Sequence, residues 1–375
     1  MKTPFSYWED QFFARSWDVI IIGAGLIGMQ SARFLLRNHP SLKVLILERG
    51  YLPHGASTRN AGFACFGSLS ELIAHEEKEG TGPMMDLVRK RYNGLKLLRQ
   101  TVPDDLMNYE ELGGYELFTS ADSEAWSDCQ KQLTRYNDLM KPLTGLPATY
   151  RLVTEQASSF GFNGVTGLIQ NQAEGQLDTG KLMHFLWMET TRSGAMILGG
   201  APVQSVQSGV VTLSDGGRFY AGTILVTTNA FTRQLLPSLD VVPGRGQVLV
   251  TDPIPGLKVR GAFHYEDGYY YFRDVGGRLL LGGGRNLDFK AEETTDFALT
   301  DLVQNRLKHL LKSVILPGKE VTIGYQWSGI MAFGAEKAPI IAEVDRNVWV
   351  AVRMSGMGVA IGTGVAKEVT DLMKV

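Results

Sequence analysis

Three glycines at fixed spacing, Gly23, Gly25 and Gly28, followed at the end of the next strand by Glu48, carry the clearest chemical signal in the chain. They lie in DVIIIGAGLIG, Asp18 to Gly28, which reads as a buried strand, a glycine loop and the start of a helix. Gly23 permits the tight turn, Gly25 leaves the backbone open to a pyrophosphate, and Gly28 lets the helix sit close on the strand. Ala24, Leu26 and Ile27 complete the loop. Their N–H groups lie at the positive end of the helix, where phosphate is favoured. Glu48 closes a second strand, Val44 to Leu47, where a carboxylate can accept from ribose hydroxyls. The chemistry implied is capture of the ADP half of a dinucleotide. Arg49 can suit a 2′-phosphate, but the carboxylate beside it argues for NAD or FAD rather than NADP.

The elements that must position these residues follow from the pattern. A βαβ unit is expected over about 17–50, with its helix over about Leu26 to Asn38. The next segment, His54 to Ser68, is rich in small residues and reads as a loop. Helices are expected over about 83–100, 123–140, 179–193 and 295–311, and Gly113 to Ser120 alternates like a strand. The run TILVTT in GRFYAGTILVTTNAF reads as a buried strand returning to the first sheet. From Val242 the pattern becomes antiparallel β, with Gly and Asp turns, and the chain ends in a glycine turn and a helix. This predicts an α/β fold. A discontinuous Rossmann-like dinucleotide domain takes 1–105, 176–240 and 321–375, and an α+β substrate domain with an antiparallel sheet takes 106–175 and 241–320.

Composition bounds the function. The chain has 375 residues, a net charge of −2 and two cysteines. That balance implies neither a nucleic-acid footprint nor a polybasic membrane patch. Cys65 and Cys129 cannot build a disulfide framework, and with scattered histidines no metal is inferred. No apolar run reaches the length of a membrane span. The N-terminal MKTPFSYWEDQFFARSW lacks an apolar signal core, so a cytoplasmic location without stable membrane insertion is expected, with those aromatics packed on the body of the protein.

Four blocks together resemble the FAD-dependent D-amino-acid oxidase/glycine oxidase superfamily, nearest in motifs to γ-glutamylputrescine oxidase-like amine oxidoreductases. DVIIIGAGLIG with VLILERG is similar to its ADP site, and GASTRNAGF to the loop that runs under the flavin. GRFYAGTILVTTNAF, which holds Thr228 and Asn229, is similar to its second FAD strand. YQWSGIMAFGAEKAPII, with Gly329, and VAVRMSGMGVAIGTGVA resemble the pair that closes over the isoalloxazine. The resemblance implies non-covalent FAD, with Val203 at the strand that holds the adenine. It implies oxidation of the C–N bond of a small amine or amino acid by hydride transfer to flavin N5. The imine product hydrolyses, and the electrons pass to oxygen or another acceptor. An NAD-dependent dehydrogenase and a flavin-binding protein without turnover are the alternatives.

Within these blocks, Ser57, Thr58, Arg59, Asn60, Ala61 and Gly62 offer hydroxyls, backbone N–H groups and one charge to phosphate. Gly356, Met357, Gly358 and Val359 place a helix N-terminus where negative charge develops on a reduced flavin. The arginines that hold substrate carboxylates in amino-acid-oxidising members correspond to Met331 and Gly356 here, which moves the reading toward amines. The lysine that helps activate oxygen falls among Leu279 to Leu281, where none is present. Alternation puts Tyr269, Tyr271 and Arg273 on one strand face, as an aromatic box with a carboxylate clamp or as ordinary sheet packing. His264 and Trp327 are weaker catalytic candidates: a lone histidine on a strand is more often structural, and Trp327 suits packing against the flavin or the core. Cys65 reads as an inert buried thiol.

Overall fold

A computed structural model describes residues 6–14, 16–373 and 375. β1 (Trp17–Ile22), α1 (Leu26–Asn38) and β2 (Val44–Leu47) form the expected βαβ unit. The following loop holds one helical turn, α2 (Ala56–Arg59). Two helices come next, α3 (Leu69–Glu79) and α4 (Thr81–Thr101), divided at Gly80, whose φ of +88° ends the first. The sequence reading places no helix at α3. β3 (Gly114–Thr119), α5 (Ser123–Thr144), β4 (Tyr150–Leu152) and β5 (Val165–Asn171) then build one edge of a second sheet. The chain returns through α6 (Thr179–Arg192), β6 (Met196–Leu198) and β7 (Arg218–Val226). It goes back to the second sheet with β8 (Val242–Thr251), β9 (Ala262–Tyr265), β10 (Tyr270–Val275) and β11 (Arg278–Gly283). α7 (Asp301–Leu310), β12 (Ile323–Phe333), β13 (Ile340–Asp345), β14 (Val348–Val352) and α8 (Gly358–Leu372) complete it.

The first sheet runs β13-β14-β7-β1-β2-β6, parallel from β14 to β6, with the hairpin Val203–Gln207/Val210–Leu213 attached to β7. Its central strands are buried on both faces, as a covered parallel sheet requires. Val19, Ile21, Val44 and Ile46 pack against α1, α4 and α8, while Ile20, Ile22, Leu45 and Leu47 pack toward the hairpin side. α4 and α8 cross closely: a Cβ on Gly94 would lie 2.4 Å from the Ala360 carbonyl oxygen.

The second sheet runs β12-β8-β11-β10-β9-β3-β5-β4 and is antiparallel except for the β9–β3 pair. β12 pairs with β8 along its whole length, from Ile323 to Phe333. The segment expected to rejoin the dinucleotide domain at 321 therefore spends its first strand completing the second sheet, and rejoins the first sheet at Ile340. The burial of β12 alternates over Ser328–Phe333, and its eleven residues pair with the ten of β8.

Among the described residues no helix is long and apolar enough to cross a membrane. Of the N-terminal aromatics, Trp17 packs on the first-sheet core as expected and Phe5 lies outside the described residues, but the others depart from expectation. Tyr7, Trp8, Phe12 and Phe13 are each more than half exposed and join none of the hydrophobic clusters.

Candidate functional site

A continuous cavity of about 890 Å³ starts at the carboxyl ends of β1, β2 and β7 and passes under the second sheet. That is the place an open α/β sheet offers a ligand, and the volume is near the top of the range of about 300–1,000 Å³ for cofactor sites. At the first end, Gly23, Gly25, Leu26 and Ile27 line it together with Glu48, Arg49 and Val203. Gly23 takes φ +106°, which only glycine adopts without strain. Glu48 is buried. Its Oε2 accepts from Ala24 N at 2.9 Å and its Oε1 from Gly50 N at 3.1 Å, so the carboxylate is fixed with lone pairs to spare. Ala24 and Gly28 do not line the cavity. Ala24 is fully buried and spends its N–H on Glu48, and a Cβ on Gly28 would fall 2.0 Å from the Gly23 carbonyl oxygen. Both shape the loop rather than touch a ligand. Arg49 stacks on Phe231, 3.6 Å from the ring centroid.

The 57–62 loop forms the next stretch. Ser57 Oγ accepts from Leu26 N at 3.0 Å, tying the loop to the start of α1, and Ser57 lines the cavity. Ala61 lines the cavity, but several neighbours have structural duties that the sequence reading missed. The Thr58 hydroxyl bonds to the carbonyls of Pro53 and Gly55, and the residue does not line the cavity. Gly62 is also outside it, with φ +72° and a Leu177 carbonyl oxygen 2.2 Å from where a Cβ would stand. The Asn60 amide donates to Ala56 O and Ser57 O and accepts from Gly62 N and Thr179 Oγ1, so it braces the loop from within. Arg59 lines the cavity, yet its Nη1 donates to Ser328 O at 2.8 Å and its guanidinium lies over Phe297. Gly329 leaves room for this contact, since a Cβ there would be 3.2 Å from Arg59 Cβ.

Gly356, Met357, Gly358 and Val359 line the cavity where α8 begins, as do Thr228 and Asn229. Three non-glycine residues with positive φ converge on this turn: Asn229 (+46°), Arg353 (+66°) and Ser355 (+48°). Such backbone persists where the surroundings over-determine it, commonly at ligand sites. The determinants are visible. Asn229 Oδ1 accepts from Arg353 N at 3.1 Å and Met354 N at 3.4 Å, and Arg353 Nη1 meets Asp240 Oδ2 at 2.6 Å. Asn229 thus positions the turn with its Oδ1 while lining the cavity itself. The buried Ser355 Oγ, which also lines the cavity, has no protein partner among the described residues.

Under the second sheet the cavity is lined by His264, Tyr271, Tyr269, Phe63, Met331 and Arg285, and on the α3 side by Glu71 and Lys337. Burial pushes the His264 imidazole down to about 4 against the pull of Glu71, so it is neutral at pH 7, and its buried Nε2 has no hydrogen-bond partner among the described residues. Burial likewise pushes the Tyr271 phenol up to about 12. Burial works against the Glu71 carboxylate, but Arg91 and Lys337 bring it down to about 2. Two catalytic candidates fall elsewhere. Arg273 is buried outside the cavity, with Nη1 on the carbonyls of Gly62 (3.0 Å) and Leu177 (2.7 Å) and Nε on that of Asp274. Trp327 is also outside, its Nε1 donating to Arg59 O at 3.0 Å. Both hold the 57–62 loop against the second sheet. Cys65, Glu174 and His264 bring one ligand-type atom each within 4.8 Å of one another, a juxtaposition that sequence spacing hides. Burial raises the Cys65 thiol and takes Glu174 to about 7.

The model of the FAD dependent oxidoreductase (DAO) family matches residues 18–372. The chain belongs to this family. FAD, not NAD, is therefore the cofactor, and this FAD-dependent oxidoreductase has the fold of its solved relatives. It is similar to L-proline dehydrogenase from P. horikoshii, with a TM-score of 0.78 at 17% identity over 96% of this chain and 94% of the other. Glycine oxidase from Geobacillus kaustophilus gives 0.76 at 20% identity over 96% of each chain. Iminodiacetate oxidase from Chelativorans sp. BNC1 gives 0.74 at 20% identity over 94% of each. In sequence it is 28% identical over 245 residues to the bifunctional protein ThiO/ThiG of Synechocystis sp., which is 62% of this chain and 32% of that protein. The match thus spans about a third of that relative's length.

The residues present fit FAD. The glycine cradle at Gly25 is open except for Ser57 Oγ, 3.0 Å from where a Cβ would sit, and one uninterrupted cavity joins it to the Gly356 turn. Glu48 would hold the ribose, the α1 N-terminus and Ser57 the pyrophosphate, and the 356–359 turn with Ala61 the isoalloxazine.

Proposed function

We propose that this oxidoreductase oxidises the C–N bond of a small amine or amino acid and releases an imine that water hydrolyses. The observation that carries the reading is the chamber continuous with the cofactor cavity, lined by a neutral imidazole, a protonated phenol, Phe63 and Met331. Bound FAD supplies a two-electron acceptor. The protein's own part is placement and control of charge. C–N oxidation needs the nitrogen lone pair, so the amine must enter or become neutral. A buried chamber with Arg285 in its lining, and with Lys337 paired to the ionised Glu71, disfavours an ammonium by desolvation. His264 adds a neutral imidazole to the chamber wall, so it brings no like charge against the amine. The start of α8 adds positive potential where reduction builds negative charge. The relatives' names support the same class: proline, glycine, iminodiacetate and sarcosine are all amines that carry a carboxylate.

The electrons then pass to oxygen or another acceptor, within the cytoplasm on this reading. The test is product analysis. Purified holoenzyme turned over with candidate amines, under air and with an artificial acceptor, should release a carbonyl compound and ammonia or a smaller amine in equal amounts. Reduction of the acceptor without carbonyl release would contradict C–N oxidation.

A further inference from the structure

We infer that Cys65, Glu174 and His264 form a binding site for one thiophilic divalent cation of the zinc class, in the wall of the chamber under the second sheet. The inference goes beyond amine oxidation and does not depend on it. A thiol sulfur, a carboxylate oxygen and an imidazole nitrogen, one from each residue, all lie within 4.8 Å of one another. Zinc ligands stand about 2.0–2.3 Å from the ion, and so about 3.3–3.8 Å from one another in a tetrahedron. Drawing in by about 1 Å completes the set.

Backbone register builds the cluster. The short strand Phe63–Ala64 pairs antiparallel with Gly175–Gln176, Phe63 opposite Gln176 and Ala64 opposite Gly175. Carried on by one residue, that register sets Cys65 opposite Glu174, and side chains so placed are neighbours, about 4.5–5.5 Å apart at Cβ. Phe63 and Cys65, two residues apart, share a face. The ring of His264, on β9, meets the Phe63 ring edge-on at 5.1 Å, which brings the imidazole to that face.

The three groups are fixed and still have capacity for a ligand. Glu174 Oε1 accepts from Phe66 N at 2.7 Å and Gly67 N at 2.9 Å, so its carboxylate is held. The Cys65 thiol makes a long contact, 3.9 Å, to the Gly175 carbonyl oxygen. His264 Nε2 is buried and has no hydrogen-bond partner among the described residues. Cys65 and His264 line the cavity and Glu174 stands behind them, so an ion enters from the chamber and keeps a fourth position open toward it. Glu71, on the α3 side of the cavity, is paired with Arg91 and Lys337 and brings no ligand.

Donor type selects the ion. Sulfur with imidazole suits zinc and its heavier congener cadmium, whereas magnesium and calcium take oxygen ligands. On binding, the Cys65 S–H bond gives way to a metal–sulfur bond, and that proton, with any on the Glu174 carboxyl, goes to water; nothing is oxidised. Thiolate and carboxylate together cancel the two charges of the ion, as a site this buried requires, with Cys65 and Glu174 only 2% and 1% exposed.

The experiment uses the FAD-loaded enzyme, stripped with a chelator and dialysed. Zn²⁺ is titrated by calorimetry, and Cd²⁺ by near-ultraviolet difference absorption, where a cadmium–thiolate bond adds a charge-transfer band. Wild type should take up one equivalent of either ion and show the band, with no competition from Mg²⁺. Cys65→Ser should abolish the band. Cys65→Ser, Glu174→Gln and His264→Gln should each weaken Zn²⁺ by more than about 10- to 100-fold, the cost of losing a residue that merely supports a ligand. Cys129→Ala, which removes the other of the two cysteines from a separate core cluster, should keep both the uptake and the band. No uptake by wild type, uptake without the band, or equal uptake in Cys65→Ser and His264→Gln would overturn the site. Should the ligand variants fail to fold, the band in Cys129→Ala decides, because Cys65 is then the one thiol in the chain. The readout needs no turnover, so the site stands or falls whether or not an amine reduces the flavin.

Discussion

Two glycines of one motif should fail in different ways when given a methyl group. Gly28→Ala puts a Cβ 2.0 Å from the Gly23 carbonyl oxygen and 3.0 Å from Thr227 Oγ1. The first contact is backbone, so α1 must move away from the turn by more than 1 Å, roughly the gap to an ordinary contact. Overpacking of this kind costs about 1–3 kcal/mol and can exceed that where backbone cannot yield. Gly25→Ala meets only Ser57 Oγ, at 3.0 Å, and Gly25 has φ −74°, which alanine adopts freely. Ser57 can rotate away and give up its bond to Leu26 N, a loss of about 1 kcal/mol. The methyl group then occupies the approach of the pyrophosphate. Losing two charge-assisted bonds there is worth at least about 3 kcal/mol, or roughly 100-fold in FAD affinity. The assay is thermal unfolding of apo protein beside FAD titration. Gly25→Ala should keep the apo melting temperature within a few degrees and lose FAD, whereas Gly28→Ala should lose apo stability first. An apo-stable Gly28→Ala that binds FAD normally, or a Gly25→Ala of unchanged affinity, would refute the assignment of roles.

Other outcomes follow from buried polar groups. Glu174 titrates near 4.5 unfolded and near 7 folded, because burial outweighs the N–H groups of Phe66 and Gly67 that it accepts. The native state holds the extra proton between those values, so this group's stabilisation is present below about pH 4.5 and is lost as pH rises through 7, on the order of 3 kcal/mol in all. Glu174→Gln, which keeps the acceptor, should flatten the fall in melting temperature between pH 5 and 8; an unaltered slope would place the titration elsewhere. Arg273→Met leaves the Gly62 and Leu177 carbonyls buried without their donor and should cost about 2–4 kcal/mol in denaturant unfolding. It should not selectively weaken acid-bearing ligands; a carboxylate-specific loss at normal stability would restore Arg273 as the clamp. Asn229→Ala removes the acceptor that fixes the 353–355 turn and should loosen FAD about tenfold with a smaller loss of stability, measured by flavin release.

The dinucleotide unit was legible because its chemistry needs particular residues at particular spacing, and Leu26–Asn38 came out with the bounds read from the sequence. The β10 face was read correctly as a period-two pattern, but periodicity fixes a face and not a distance. Tyr271 reaches the cavity, while Arg273, about 7 Å farther along the strand, lies beyond it against the 62–177 contact. Arg285 was invisible for the opposite reason. It follows Gly283 (φ +121°) and Gly284 (φ +83°), which redirect the chain where no periodic argument applies. The bracing roles of Thr58, Asn60 and Trp327 depend on contacts with residues far away in sequence or on local carbonyls, and residue type alone cannot distinguish bracing a loop from binding a ligand. β12 was assigned to the wrong sheet since alternation does not name the partner strand, and the exposed N-terminal aromatics show that apolar content does not guarantee a surface to bury against.

The most direct test of the account is anaerobic mixing of FAD-loaded enzyme with a panel of primary and secondary amines, with and without a carboxylate. The account predicts that at least one amine of the panel bleaches the oxidised-flavin band stoichiometrically. A fully loaded protein that a chemical reductant bleaches, but that no amine in a broad panel does, would contradict it.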